Sequence, residues 1–207
     1  MPARLTQLRS NLWTVILAAG GSERLGEPKQ LIRLHGNALL KRTADMAQRV
    51  TPDRTVIVIG AKPLRMRMLL RQCKGRKRIV TNPRWRAGMS TSLRRGLKAV
   101  PRKAVAVLLL AVDQPLLDAA ALEALIAAWV RHPQLPAAAR YAMRLGVPAI
   151  IPRRLWRAAQ AASGDAGARA ILRRPDTAVT AVDMPQAALD IDTPEDLMQL
   201  KPQAISG

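Results

Sequence analysis

The chain is poor in several kinds of residue, and their scarcity excludes whole classes of protein. It has a single cysteine, Cys73, so no disulfide can form within it; this fits a reducing compartment and predicts a cytoplasmic protein. It has two histidines, and neither a Cys/His zinc cluster nor a Ser-His-Asp set is recognisable. Aromatic residues make up only 2% of the chain. We therefore expect a core built mainly from aliphatic side chains.

Long apolar runs are also absent. The longest, residues 104–112, is far shorter than the roughly 20 residues that a helix needs to span a bilayer. Residues 1–11 lack the apolar core of a signal peptide. The sequence therefore predicts no association with a membrane.

Acidic residues are few, with 14 Asp and Glu against 34 Lys and Arg and a net charge of +20. Such a chain attracts anionic partners. The arginines are spread along the sequence without a block of five like charges, so we interpret the charge as solubility plus attraction for an anionic substrate. We expect no nucleic-acid binding, because there is no recognisable reading motif and few aromatic side chains are present for stacking.

Strand-like and helix-like patterns alternate along the 207 residues, which we treat as one domain spanning residues 1–207. Strands are predicted at 13–17, 55–59, 78–81, 104–112, 147–151 and 178–182. Helices are predicted at 38–50, 63–72, 88–98 with Ser90 as cap, 119–131 with Asp118 as cap, 153–162, 166–173 and 194–200 with Thr193 as cap. This alternation predicts an α/β fold with a mostly parallel sheet that is covered by helices on both faces.

The first strand runs into a glycine-rich loop with the sequence Leu-Ala-Ala-Gly-Gly-Ser-Glu-Arg-Leu-Gly-Glu-Pro-Lys over residues 17–29. Successive backbone N–H groups in such a loop form an anion site, and Arg24 and Lys29 supply positive charge for a polyphosphate. The spacing is neither that of a P-loop nor that of a dinucleotide fingerprint. The alternative is a glycine-rich turn with solvated charges.

Three aspartates follow predicted strands or precede a helix. Asp113 comes directly after the most apolar strand, at the sheet edge that also carries the glycine-rich loop, where a carboxylate can hold Mg²⁺ against phosphates. Asp190 and Asp192 lie two residues apart, and therefore on one face of an extended backbone. For all three the alternative is a turn or a helix cap.

The same stretches resemble the motifs of one enzyme family. The loop matches L-A-A-G-x-S-x-R-x-G-x-P-K-x-L, residues 111–115 resemble its D-x-P metal motif, and residues 190–197 read D-I-D-T-P-E-D-L. Residues 82–93 are similar to N-x-x-W-x-x-G-M-x-x-S-L, residues 146–148 to G-x-P, and residues 164–169 to G-D-x-G-A-R. Together these resemble the MobA-like nucleotidyltransferases, and within them the molybdenum cofactor cytidylyltransferases.

This resemblance implies a three-layer α/β/α Rossmann-like nucleotidyltransferase fold and a Mg²⁺-dependent enzyme. It would move CMP from CTP to the phosphate of molybdenum-bearing molybdopterin and release pyrophosphate, in some relatives beside a molybdenum hydroxylase client. The implied catalytic residues are Arg24, Lys29 and Asp113. The implied metal ligands are Asp113 and Asp192, with Asp190 as a further candidate.

The resemblance also implies two substrate-binding sets. The nucleotide would be bound by Leu17, Ala18, Ala19, Gly20, Gly21, Ser22, Arg24, Lys29, Gly88, Met89, Ser90 and Ser92. The acceptor would be bound by Gly146, Pro148, Asp165 and Arg169. Val147 stands where relatives commonly have histidine, which leaves the acceptor open. The alternatives are another nucleotide such as GTP, a sugar or alcohol phosphate as acceptor, or a non-catalytic chaperone that carries the finished cofactor.

Overall fold

The computed structural model describes residues 2–161, 163–164, 167–174 and 176–203. Nine strands are assigned within these ranges: β1 Leu12–Ala18, β2 Arg33–Leu34, β3 Asn37–Ala38, β4 Thr55–Ile59, β5 Lys77–Thr81, β6 Ala106–Ala111, β7 Ala137–Tyr141, β8 Arg144–Pro152 and β9 Thr180–Asp183. Eight α-helices are assigned there: α1 Pro2–Ser10, α2 Leu39–Val50, α3 Pro63–Arg71, α4 Met89–Ala99, α5 Ala119–Arg131, α6 Trp156–Ala161, α7 Arg169–Leu172 and α8 Pro194–Gln203.

Seven strands form one sheet in the order β5-β4-β1-β6-β8-β7-β9, and β2 and β3 form a separate hairpin. All neighbouring pairs in the large sheet are parallel except those of β8, which runs antiparallel to β6 and to β7. The predicted mostly parallel α/β fold is therefore confirmed. The one reversed strand follows from the two-residue turn at Ala142 and Met143, which joins β7 to β8 as a hairpin.

Alternate residues of the central strand face opposite layers of the core. On β1, Leu12 and Ile16 pack into one apolar cluster with α2, α3 and α5, while Trp13 and Val15 pack into a second cluster with α4 and α6. Both faces are buried because the strand is apolar at every position except Thr14, whose hydroxyl bonds to that of Thr51 at 2.6 Å. This gives the three-layer α/β/α arrangement.

Several predicted boundaries and elements were wrong. Helix α4 begins at Met89 with Gly88 as its N-cap, so Ser90 lies inside the first turn and not at the cap. The stretch 144–152 forms a longer strand than 147–151, because it pairs along most of its length with β7. Helix α1 and the β2–β3 hairpin were not predicted. No helix in the described ranges is long and apolar enough to cross a membrane.

Gly96 lets α4 lie directly against the sheet. A Cβ atom at this position would come within 2.5 Å of Val15 Cγ1 and 3.1 Å of Val58 Cγ2. Substitution Gly96→Val is expected to lower the free energy of unfolding by about 3 kcal/mol through overpacking. For a chain of this size that corresponds to a Tm lower by roughly 6–12 °C.

The matched control is Arg95→Val, which places the same side chain on the exposed face of the same helix. The Tm of Gly96→Val, measured by thermal unfolding, should be lower than that of Arg95→Val by most of this amount. Equal Tm values for Gly96→Val and Arg95→Val would show that α4 has room to move off the sheet.

Candidate active site

A cleft of about 660 Å³ opens at the carboxyl ends of β1 and β6. One wall is the glycine-rich loop that follows β1, and the opposite wall is the segment 85–92 that leads into α4. Its lining residues are Leu17, Ala19, Gly20, Gly21, Ser22, Glu23, Arg24, Lys29, Trp85, Arg86, Gly88, Met89, Ser92, Ala111, Asp113 and Asp192. Segments that are far apart in sequence therefore meet at the edge where ligands bind in open α/β sheets.

Lys29 joins the acidic residues of this cleft. Its Nζ lies 2.7 Å from Asp113 Oδ2 and 2.8 Å from Asp192 Oδ1, and it also faces the carbonyl oxygen of Ile191 at 3.4 Å. The Lys29 and Asp113 side chains are 17% and 22% exposed, so this ion pair is largely shielded from solvent. Burial alone would lower the pKa of Lys29, but the two carboxylates more than offset it and raise the pKa above the usual lysine value.

Asp190 and Arg24 complete the charges around this pair. Burial, together with the negative charges of Asp113 and Asp192, raises the pKa of Asp190 to about 6. The Arg24 guanidinium lies 3.5 Å from Asp192 Oδ2, and its side chain is 75% exposed. Arg24 therefore stands at the mouth of the cleft, whereas Lys29 lies inside it.

The helix caps test the alternative interpretation of Asp113 and Asp192 as capping residues. Helix α5 is capped by Asp118, which accepts a bond from Ala121 N at 2.8 Å. At the start of α8, Asp196 Oδ2 accepts from the backbone N of Asp192 and of Thr193, and Thr193 Oγ1 accepts from Asp196 N at 3.4 Å. The carboxylates of Asp113 and Asp192 are thus not the caps, and both face Lys29.

Gln30 fixes the glycine-rich loop and was not among the predicted site residues. It is 2% exposed, and its Nε2 donates to the carbonyl oxygens of Ala18 at 3.0 Å and Gly20 at 2.9 Å. It thereby fixes the point at which β1 turns into the glycine-rich loop. Ser22 holds the other end of the loop, since its Oγ accepts from Lys29 N at 3.0 Å. Nothing in the sequence around Gln30 marks it as buried.

Trp85 forms the back of the cleft and was not among the predicted site residues. A Cβ atom at Gly21 would come 2.6 Å from the indole ring, and one at Gly60 would come 2.7 Å from Trp85 Cβ. Gly21 is therefore required by the close approach of Trp85, and Gly60 by that of Trp85 together with the carbonyl oxygen of Ala19, which lies 2.5 Å from the Cβ position. The Arg86 guanidinium lies over the ring at 4.5 Å from its centroid. The chain has only four tryptophans. The position of one of them in a polar stretch was the sequence feature that could have marked Trp85 as a site residue.

Ser92 reaches the cleft, whereas Ser90 and Ala18 do not. The Asn82 side chain donates to Ser92 Oγ and to Thr91 Oγ1, both at 2.9 Å, and so orients the start of α4. Ser90 is 2% exposed and its N–H donates to Gly164 O at 3.0 Å, while Ala18 is also 2% exposed. Direct contact of these two side chains with a nucleotide is therefore not supported by their position.

The predicted acceptor residues lie apart from the cleft lining. Gly146 and Pro148 are buried in β8, where Gly146 leaves room for the Tyr141 hydroxyl. The Val147 side chain packs on the core, and its carbonyl oxygen accepts from Gln114 Nε2 at 2.9 Å and from the Tyr141 hydroxyl at 3.2 Å. Arg169 begins α7, and its charge opposes the rise in the pKa of Asp190. Asp165 lies outside the described residues.

The residues present fit a divalent metal that arrives with phosphates. Within the described ranges, no cluster of three or more His, Cys, Asp or Glu side chains has metal-binding geometry. Asp113 and Asp192 nevertheless converge on one cation, the ammonium of Lys29. Two carboxylates together with substrate phosphates are the usual ligands of Mg²⁺ in proteins.

Residues 14–179 match the family described as the MobA-like NTP transferase domain. The chain therefore belongs to this family and is a nucleotidyltransferase. Its fold and its cleft at the sheet edge agree with that assignment.

Individual relatives span nearly the whole chain. It is 32% identical over 197 residues to nicotine blue oxidoreductase from Paenarthrobacter nicotinovorans, covering 90% of this chain and 94% of that protein. A homologue of Mycobacterium tuberculosis Rv0371c from Mycobacterium sp. strain JC1 is 28% identical with a TM-score of 0.78, covering 95% and 98% of the two chains. The manganese complex of Rv0371c from Mycobacterium tuberculosis H37Rv is 27% identical with a TM-score of 0.74, covering 92% and 97%.

Substitution Gln30→Met is expected to weaken nucleoside triphosphate binding about tenfold while the chain stays folded. It leaves two carbonyl oxygens without their donor, at a cost of about 1–3 kcal/mol, and so loosens the loop that holds the phosphates. Calorimetric titration with Mg²⁺ and CTP measures the change, with the exposed Gln72→Met as control. A lower Tm with an unchanged Kd would mean that Gln30 serves the fold alone.

Proposed function

We propose that this nucleotidyltransferase moves CMP from CTP to the terminal phosphate of molybdenum-bearing molybdopterin and releases pyrophosphate. The observation that supports the proposal most strongly is the convergence of Lys29, Asp113 and Asp192 in one cleft. The same cleft is lined by the glycine-rich loop and by the segment 85–92, which carry the two nucleotide motifs. The choice of CTP and of the pterin acceptor is supported by the resemblance of residues 164–169 and 190–197 to the cytidylyltransferase motifs.

The reaction needs positioning and charge neutralisation and no protein nucleophile. An oxygen of the acceptor phosphate attacks the α-phosphorus of CTP in line, and the bond to the leaving pyrophosphate breaks. The backbone amides of residues 20–22 would hold the phosphates. Lys29 and Arg24 would stabilise the charge that builds up on the leaving pyrophosphate, from inside the cleft and from its mouth respectively.

Mg²⁺ would be held by Asp113 and Asp192, with Asp190 behind them. When bound it supplies positive charge to the phosphates and helps to orient them. The structure of the mycobacterial relative in complex with manganese supports the use of a divalent ion. The protein's own part is to present two carboxylates at fixed positions at the cleft edge.

Different segments would bind the nucleotide and the acceptor. Gly88, Met89 and Ser92 would contact the base and ribose, with Ser92 oriented by Asn82. Arg169, whose charge acts on Asp190, would help to place the phosphate-bearing pterin, and by the resemblance so would Asp165. Since Val147 turns its side chain into the core, its replacement of histidine need not obstruct an acceptor.

The same site is compatible with other functions. The transfer could use GTP instead of CTP, or a sugar or alcohol phosphate as the acceptor. Alternatively, the protein could be a chaperone that binds the finished cofactor for a molybdenum hydroxylase without turnover. An oxidoreductase activity is a further candidate, because the curated relative carries that name. The lysine between two carboxylates, in a cleft lined by the glycine-rich loop, favours the transferase over the chaperone and the oxidoreductase.

Pyrophosphate release tests the proposal directly. With Mg²⁺ and molybdenum-loaded molybdopterin, we expect release with CTP and not with GTP or ATP. Release of pyrophosphate with GTP would mean that the enzyme transfers GMP instead of CMP. Release from CTP with a sugar phosphate, but not with the pterin, would mean that the acceptor is a sugar phosphate. Binding of CTP without release of pyrophosphate with either acceptor would contradict the proposed cytidylyl transfer.

Substitution Asp113→Asn is expected to lower the rate of this reaction at least 10²-fold, the range for losing one preorganised electrostatic group. The amide keeps the shape of the side chain and removes the charge that would hold the metal. Asp176→Asn is the matched control, because it removes a charge from the exposed pair with Arg174. Activity within threefold of the unchanged enzyme would remove Asp113 from the metal site.

A further inference from the structure

The Lys29 ammonium lies between the two carboxylates that we propose as ligands of a divalent ion. Its Nζ is within 2.8 Å of one carboxylate oxygen each of Asp113 and Asp192. The ammonium neutralises part of their charge and repels a second cation that approaches the same side chains. The ammonium and the metal therefore compete for the negative charge of these two carboxylates.

The ammonium also has no N–H left for a phosphate. Lysine carries three donors, and three acceptors surround Nζ: the two carboxylates and the carbonyl oxygen of Ile191. A phosphate oxygen can accept from Lys29 only after the ammonium leaves at least one of them. When Lys29 binds a triphosphate it therefore has to release a carboxylate, and a single movement of its side chain does both.

The backbone segments that carry the two carboxylates are joined without the Lys29 side chain. Ile191 N donates to the carbonyl oxygen of Asp113 at 2.9 Å, which joins the two acidic segments without Lys29. The backbone of Lys29 is held separately, through the bond from its N–H to Ser22 Oγ. Only the flexible part of the lysine has to swing from the acids toward the glycine-rich loop.

We propose that Lys29 is a cationic placeholder, which holds Asp113 and Asp192 until a nucleoside triphosphate draws its ammonium away and the two carboxylates take the metal. The metal therefore binds with the nucleotide, and only weakly to the protein alone. This inference rests on the proposed metal-nucleotide site and adds to it the order in which its parts assemble.

The test measures Mn²⁺ binding to the full chain without nucleotide, from the electron paramagnetic resonance signal of the free ion. Lys29→Met removes the ammonium and leaves two unpaired carboxylates. We expect the variant to bind Mn²⁺ at least tenfold more tightly than the unchanged protein, which corresponds to about 1.4 kcal/mol. Lys29→Gln is a second neutral variant for which the same gain is expected, should the methionine variant fail to fold.

Two controls assign the gain to this site. Lys41→Met removes a lysine from the ion pair with Asp45 outside the cleft and should leave Mn²⁺ binding unchanged. Adding Asp113→Asn to Lys29→Met should abolish the gain. If the Lys29 variants bind Mn²⁺ no more tightly than the unchanged protein, or if the gain persists without the Asp113 charge or occurs in Lys41→Met, the proposal is wrong.

This test is independent of which reaction the enzyme performs. It contains no nucleotide, no acceptor and no turnover. Failure to release pyrophosphate from CTP would overturn the proposed reaction while leaving the Mn²⁺ comparison intact. Conversely, an unchanged Mn²⁺ affinity in the Lys29 variants would overturn the placeholder and leave the cytidylyl transfer standing.

Discussion

The ion pairs of Lys29 hold together the parts of the site that are most distant in sequence. They join the end of the glycine-rich loop to Asp113 after β6 and to Asp192 before α8. Carboxylates this close repel each other in a shielded environment unless a cation lies between them. Burial, followed by the negative charges of Asp113 and Asp192, raises the pKa of Asp190 to about 6. The cleft can concentrate acids because a lysine from the glycine-rich loop neutralises part of their charge.

The shape of the cleft depends on a second constraint, the close packing around Trp85. The ring lies against Gly21 on the glycine-rich loop and near Gly60 after β4, and no side chain fits between them. The segment 85–92 and the glycine-rich loop are therefore in direct contact. Because such close packing leaves no space to absorb a displacement, we expect a change in one segment to shift the other.

The sequence predicted those features that depend on residues close together in the chain. Alternation of apolar runs gave the parallel strands, and Asp118 was correctly predicted as the cap of α5, since capping depends on a few adjacent residues. The glycine-rich loop and Asp113 were correctly placed at one edge because parallel strands share their carboxyl ends. The burial of Gln30 and of Ser90 depends on partners elsewhere along the chain, such as Gly20 O and Gly164 O. The direction of β8 depends on the turn at Ala142 and Met143, which was not predicted, and on pairing with β6. Local patterns contain no information about such partners.

The acidic residues are distributed unevenly along the sequence, and their positions are more informative about the ligand than those of the arginines. Residues 54–112 contain sixteen Lys and Arg and no Asp or Glu, whereas ten of the fourteen acids follow residue 112. In the sheet order, the strands β4 and β5 of the basic stretch lie on one side of β1, while Asp113 follows β6 across the boundary that β1 marks. A metal-bound triphosphate, which carries both kinds of charge, is the ligand that such a boundary suits.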